Sequence, residues 1–365
     1  MSNPPELLAT RKRICLVCPS LNAGGIERSM IRLCEQFCAR GHPVDFLVCL
    51  PASQPFYRPD TRANLEQPGW QRRPGRLNTI RFYLRLMRWI RSRVKQNRPD
   101  LVIVYGDYFG PLVIFSLSML GIPVFVSDRM SPDRRFPLPI RCAKRLSYPR
   151  AAGFIAQTER AARAARGRYG NALPIRVIPN PVEALPPGRP DRQQTLLCVG
   201  RLNHEKGMDI AIQAFAKADP EGWQLLIAGE GPERGRLEAL IEQLALGARV
   251  SLIGESSQVA ELMSKCAVFL LPSRSEGFPN ALCEAMSAGM ACICFADLND
   301  PTIISEDGQD GMLVTERTVS ALAESISAVT GQLAVRRRLQ ANAVRIQHRL
   351  SPAHVFEQTL SFVRA

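Results

Sequence analysis

The chain has 365 residues, 46% of them hydrophobic, and a formal net charge of +14. That length supports two domains with separate cores. The apolar stretch from Phe109 to Val126 is interrupted by Gly110, Pro111, Gly121 and Pro123, which excludes the roughly 20-residue apolar helix that a membrane span needs.

The first thirteen residues have no apolar core of signal-peptide length, so a cytoplasmic protein is expected. The run Arg13-Ile-Cys-Leu-Val-Cys18 reads as a short buried strand, followed by the turn Asn22-Ala-Gly-Gly-Ile-Glu27 and a helix stopped by Gly41. Cys15 and Cys18 have metal or redox spacing, but no second pair accompanies them. Strand positions three apart point to opposite faces, so no metal is expected, and most of the eleven cysteines are expected as buried thiols. Pro43–Cys49, Asp100–Tyr105 and Pro123–Val126 are further short strands, with a buried helix between the last two. Runs rich in Val, Ile and Leu without polar alternation predict parallel strands covered on both faces.

Val177-Ile-Pro-Asn-Pro-Val182, with Pro186, Pro187, Gly188 and Pro190 after it, is a linker rich in helix and strand breakers. A second cycle of strands follows at Thr195–Gly200, Gln224–Ala228, Val250–Ile253, Val268–Leu271 and Ala291–Phe295. The fold class predicted is α/β, with two doubly wound parallel-sheet, Rossmann-like domains facing a cleft. The first spans 1–183 and the second 191–350.

Three segments of the second half carry candidate chemistry. In Val199-Gly-Arg-Leu-Asn-His-Glu-Lys-Gly207, Arg201 and Lys206 stand between a strand end and a helix start. There they suit phosphate oxygens, or alternatively surface ion pairs. Gly229, Gly231 and Gly235 form a near miss of a dinucleotide fingerprint. In Ser273-Arg-Ser-Glu-Gly-Phe-Pro-Asn-Ala-Leu-Cys-Glu284, Pro279 predicts a helix start. The amides of Asn280, Ala281 and Leu282 would there face an anion such as a diphosphate, with Glu276 in the loop beside it and Glu284 on the same helix face.

The segment Ser275–Gly289 resembles the donor-site signature of the large retaining glycosyltransferase family numbered four, whose fold is called GT-B. Gly200-Arg-Leu-x-x-x-Lys-Gly207 matches a second signature of that family. The resemblance covers nearly the whole chain and is densest from Val199 to Gly311. It implies that Glu276 faces the donor sugar and Glu284 binds the ribose, while Arg201 and Lys206 neutralise the departing nucleoside diphosphate. Gly229, Gly254, Glu255, Gly277, Phe278, Asn280, Ala281 and Leu282 would complete the donor pocket, although plain turns explain the glycines as well. In the first half, Gly24 and Gly25 resemble the family's Gly-Gly-x-Glu turn. Many relatives present a His shortly after the Val124–Val126 strand. Here Ser127-Asp128-Arg129 stands instead, so Asp128 and Arg129 become acceptor-contact candidates. The family's last helix, here 351–365, would cross back to the first domain.

What the resemblance implies is a retaining, metal-independent transfer of a sugar from a UDP-sugar. A nucleotide-sugar epimerase would need an acid/base set that the chain lacks, and a non-catalytic scaffold would be expected to lose Glu276, Arg201 or Lys206. Residues 1–185 carry +18 and residues 186–365 carry −4, which confines a polyanionic partner to the first half. Nucleic acid is not that partner, because the donor signatures would then be idle. From Leu77 to Lys95 a helix is predicted, with Ile80, Leu84, Met87 and Val94 as its apolar stripe. Arg81, Arg85 and Arg88 line a neighbouring face, and Phe82, Leu86 and Trp89 a third. This Arg-rich helix reads as a contact for anionic lipid or a lipid-linked saccharide acceptor on the inner face of the cytoplasmic membrane. A solvated helix, and with it a soluble acceptor, is the competing reading.

Overall fold

The computed structural model describes residues 11–364 apart from Ala23, Ala52, Ser53, Arg73, Pro187, Arg189, Pro190 and Glu306. The linker prolines Pro187 and Pro190 and the first ten residues lie outside the described residues. In the first unit, residues up to 179, the elements run β1 (Ile14–Cys18), α1 (Gly25–Ala39), β2 (Val44–Val48), β3 (Asn64–Glu66), α2 (Arg76–Asn97) and β4 (Leu101–Tyr105). They continue with α3 (Phe109–Leu117), β5 (Val124–Ser127), α4 (Leu138–Ser147), β6 (Gly153–Ala156), α5 (Glu159–Tyr169) and β7 (Ile175–Val177). The seven strands form one parallel sheet in the order β3-β2-β1-β4-β5-β6-β7, with Val17 paired to Leu47 on one side and Val104 on the other.

Strands β1, β2, β4 and β5 are buried at every position, as continuous apolar runs require. Alternation then feeds two cores. Ile14, Leu16 and Cys18 pack with Met30 and Phe37 of α1, while Cys15 and Val17 pack with Phe82 and Leu86 of α2 and Val113 of α3.

Helix α2 turns a different face inward from the one its sequence suggests. Phe82, Leu86, Ile90 and Val94 are buried, so Phe82 and Leu86, read as a third edge, face the core, whereas Ile80 and Leu84 of the apolar stripe are exposed. The buried row has strict four-residue spacing, which keeps long side chains stacked along one line of the helix. Each of these burials is worth about 1.5–3 kcal/mol, so the row with the larger aromatic faces the sheet. Leu77, Ile80 and Leu84 remain outside beside the exposed Arg81, Arg85 and Arg88.

The second unit, residues 180–354, begins with β8 (Gln193–Val199), α6 (Met208–Ala218), β9 (Gln224–Ala228), α7 (Arg234–Gln243), β10 (Val250–Gly254) and α8 (Val259–Lys265). It continues with β11 (Cys266–Leu271), α9 (Asn280–Ser287), β12 (Ala291–Phe295), β13 (Met312–Val314), α10 (Val319–Gly331), α11 (Leu333–Ala343) and α12 (Ile346–Arg349). Six parallel strands are ordered β10-β9-β8-β11-β12-β13. Leu196 and Cys198 face a core with Phe215 of α6 and Leu322 of α10, and Leu197 faces one with Leu282 and Met286 of α9. Both units are thus Rossmann-like, doubly wound sheets.

The last helix, α13 (Pro352–Arg364), belongs to the first unit from Val355 onward. Phe356 meets Phe37 edge-on at 4.9 Å and Phe362 meets Phe125 at 5.5 Å. Gly153 makes room for this helix, because a Cβ there would lie 2.6 Å from the Phe362 ring.

Candidate active site

In a parallel sheet the order of strands reverses direction at one point, and the loops leaving the carboxyl ends on either side are free to hold a ligand. In the second unit that point lies between β8 and β11. The loop after β8 carries Arg201 and Lys206, and the loop after β11 carries Glu276. Their sequence separation is 70 residues, yet Lys206 Nζ stands 2.7 Å from Glu276 Oε1. Ser273 Oγ donates to the same carboxylate oxygen at 2.7 Å. The Glu276 side chain is 9% exposed and that of Lys206 28%, so the pair is largely withdrawn from water but open on one side.

The two loops are fastened together independently of that pair. Arg274 makes a two-pronged contact with Asp209 at 2.8 and 2.9 Å, and also donates to the carbonyl of His204. Its backbone N–H donates to the Glu205 carbonyl at 2.7 Å. Gly207 has φ +65°, and a Cβ there would sit 2.1 Å from the Pro272 carbonyl oxygen. Only glycine allows so close an approach of two backbones. Arg201 is exposed, and no ion pair joins it to a carboxylate among the described residues.

The glycine turn after β9 abuts the loop after β8. A Cβ on Gly229 would fall 1.9 Å from the Gly200 carbonyl oxygen, and one on Gly231 2.3 Å from that of Leu202. Leu202 N–H donates to the Glu230 carbonyl and Glu233 N–H to that of Leu202. Gly229 N–H donates to the Gly254 carbonyl at 2.8 Å, joining the turn after β10 to the same group. Gly254 is half-buried and Glu255 exposed.

Helix α9 starts one residue later than Pro279, which takes the capping position. Asn280 N–H is not open: it donates to the Phe278 carbonyl at 2.9 Å, contrary to the expectation that this amide faces an anion. The proline forces a tight turn whose first amide closes on the residue before it. Gly277 and Ala281 are half-buried, Phe278 and Leu282 buried, and Glu284 half-buried on the helix four residues past Asn280. Asn180, read from sequence only as part of a breaker-rich linker, is 3% exposed, and its amide donates to Asn280 Oδ1 at 2.9 Å. Its one signal in the sequence is its place between two prolines, Pro179 and Pro181.

In the first unit, Gly24 is extended at φ −175° and caps α1, whose first residue is Gly25. A Cβ at Gly24 would meet the Glu27 carboxylate at 2.4 Å, and that carboxylate accepts a 2.7 Å bond from Ser20. Asp128 lies in a buried network. Lys144 Nζ reaches it at 2.8 Å and Asp107 at 3.0 Å, and Tyr148 OH donates to it at 2.6 Å. Burial, then the Asp107 charge, push the Asp128 carboxyl up to about 6, although Lys144 pulls the other way. Asp107 also accepts the N–H groups of Arg129 and Met130. The Arg129 guanidinium lies 3.5 Å from the Tyr105 ring centre, and burial lowers its pKa. Asp107, Lys144 and Tyr148 were not legible from sequence. Only Asp107, directly after Gly106 at a strand's carboxyl end, carried a positional signal.

Residues 185–345 match the family model of glycosyl transferases group 1, and residues 23–184 that of Glycosyltransferase Family 4. The chain belongs to this glycosyltransferase family. Over 361 residues the glycosyltransferase is 24% identical to the GalNAc-alpha-(1->4)-GalNAc-alpha-(1->3)-diNAcBac-PP-undecaprenol alpha-1,4-N-acetyl-D-galactosaminyltransferase of Campylobacter jejuni, covering 96% of this chain and 98% of that one. It is 37% identical over 200 residues to an exopolysaccharide phosphotransferase of Streptomyces coelicolor. That match takes in 53% of this chain but spans only 21% of the relative's length. Among solved structures, Anabaena HepE in complex with UDP aligns with a TM-score of 0.80 at 18% identity, covering 96% of this chain and 99% of that one. The fold is therefore GT-B.

Proposed function

We propose that this glycosyltransferase moves a hexose or N-acetylhexosamine from a UDP-sugar to a lipid-linked saccharide, with retention at the anomeric carbon, during assembly of a cell-surface glycan. The observation that carries the donor half is the meeting of Lys206 and Glu276 at 2.7 Å. A cation for the diphosphate and a carboxylate for the sugar must be neighbours, because the phosphate and the sugar share one bond. HepE, of the same fold, holds UDP.

In the proposed reaction the acceptor hydroxyl oxygen bonds to the anomeric carbon as the carbon–oxygen bond to the diphosphate breaks. The hydroxyl proton passes to the departing phosphate oxygen on the same face, so no separate base is required. Arg201 and Lys206 stabilise the charge gathering on that diphosphate, and preorganised donors of this kind are worth about 100- to 1000-fold in rate. The first-turn amides of Ala281 and Leu282 add the positive end of α9. Glu276 orients the donor sugar and Glu284 the ribose, and the cations stand where a metal would otherwise be needed.

Support for the acceptor comes from the +18 charge of residues 1–185 and from the Campylobacter relative, whose name specifies a diphosphate-linked undecaprenol saccharide. No helix among the described residues is long and apolar enough to cross a membrane, which fits peripheral attachment through α2. UDP release from a panel of UDP-sugars, with and without a lipid-linked saccharide, tests the proposal. Release should need one donor and rise with the acceptor. Equal release with a soluble saccharide would replace the acceptor, and no release from any donor would remove the reading.

A further inference from the structure

Glu276 offers two carboxylate oxygens, and its surroundings treat them differently. Oε1 accepts from Lys206 Nζ at 2.7 Å and from Ser273 Oγ at 2.7 Å. Such an oxygen has two lone pairs, so Oε1 is fully engaged. Oε2 accepts from no group among the described residues, and it is not one of the buried polar atoms left without a partner, so it meets solvent.

The two donors to Oε1 differ in how firmly they are held. Ser273 is 1% exposed, and the backbone around it is fastened at three successive residues. The Pro272 carbonyl lies against Gly207, and the Arg274 N–H donates to the Glu205 carbonyl. The Ser273 carbonyl itself accepts from Arg317 Nη1 at 2.7 Å. Arg317 follows β13, pairs with Asp297 after β12, and stands with its guanidinium carbon 4.9 Å from the Phe295 ring centre. Lys206, by contrast, carries its ammonium on a flexible four-carbon stem and is 28% exposed. Its three N–H groups can turn to another anion. A diphosphate brought to this loop competes with Glu276 for that ammonium, and a carboxylate held by Lys206 alone would then be free to rotate.

We infer that Ser273 is the positioning residue of the donor site. Its hydroxyl keeps Oε1 of Glu276 in place while the diphosphate draws on Lys206, so that Oε2 stays turned to the donor sugar and accepts from one of its hydroxyl groups. The assignment rests on the donor reading proposed above, in which Lys206 meets the diphosphate and Glu276 the sugar. It adds the oxygen that makes the sugar contact and the side chain that aims it.

Titration calorimetry without acceptor separates the two parts of the donor, with kcat measured alongside. The probes are UDP and whichever of UDP-glucose, UDP-galactose and their N-acetyl derivatives the wild type turns over. Ser273→Ala should bind UDP as the wild type does, because Lys206, Arg201 and Glu284 are untouched. Its affinity for the UDP-sugar and its kcat should each fall about tenfold, the loss expected when one hydrogen bond to a charged group is removed. In a Glu276→Gln background the same substitution should weaken the UDP-sugar no further, because two residues that act through one contact are not additive. Equal weakening of UDP and UDP-sugar would make Ser273 a merely structural residue and overturn the assignment. So would wild-type values in Ser273→Ala, or losses that add in the double variant. Wild-type affinity and kcat in Glu276→Gln, or a wild type that turns over none of the four donors, would strike the donor reading itself and the role of Ser273 with it.

Discussion

Replacing Lys206 with Ala should lower stability as well as activity, and the geometry gives the size. Its ammonium is 2.7 Å from Glu276 Oε1, on a carboxylate only 9% exposed. The mutation leaves that carboxylate with the Ser273 hydroxyl at 2.7 Å. Truncating one partner of a fully buried pair costs about 3–5 kcal/mol, and an exposed pair about 0–1. Lys206 is 28% exposed, so an intermediate loss of about 2 kcal/mol follows. For a unit of this size each kcal/mol moves Tm by about 2–4 °C, giving a drop of roughly 4–8 °C. Arg201→Ala should lose about 100- to 1000-fold in transfer rate with Tm unchanged, because Arg201 is exposed. Differential scanning calorimetry of wild type, Lys206→Ala, Glu276→Gln and the double variant supplies the test. Lys206→Ala should cost little in the Glu276→Gln background, where no charge is stranded. If Lys206→Ala melts with the wild type, the pair is not the buried contact described, and the reasoning fails.

Glu284→Ala should weaken UDP binding, while Glu276→Ala should bind UDP nearly normally and lose sugar transfer. Titration calorimetry decides, and equal weakening would refute that division. Gly231→Ala should lower Tm and UDP affinity, because its Cβ would press the Leu202 carbonyl from 2.3 Å, an overpacking worth about 1–3 kcal/mol. Gly235→Ala, with nothing within 4 Å of its Cβ, should do neither. Asp128, raised to about 6, keeps its proton in the folded chain where an unfolded carboxyl near about 3.9 has lost it. Folding stability should therefore fall as pH rises from 4 to 6 and be level above. Two units correspond to about 3 kcal/mol at most. Asp128→Asn should flatten that slope in urea titrations, and an unchanged slope would contradict the burial argument.

The interior strands were legible because β1, β4, β8 and β11 are apolar over most of their length, and burial on both faces leaves few alternatives. The edges were not. Strands β3 and β7 are three residues long and partly exposed, and their sequences resemble loops. On α2 several apolar rows compete, and the sheet selects Phe82–Val94 over the row containing Ile80 and Leu84. The two donor signatures each announced charged residues at a strand end. Their meeting through Lys206 and Glu276 depends on β8 and β11 being neighbours, which local sequence does not encode. The Asp107–Lys144–Asp128 network was hidden for the same reason. Lys144 sits in a helix of many basic residues, and only the packing of α4 singles it out as 4% exposed.

The most direct measurement of the central claim is proton NMR of the product formed from an α-linked UDP-sugar and a lipid-diphosphate saccharide, in the presence of EDTA. A new α-glycosidic anomeric signal, growing in step with UDP, is the result predicted. A β-linked product, or transfer that stops when EDTA is added, would contradict the metal-independent retaining mechanism built on Arg201, Lys206 and Glu276.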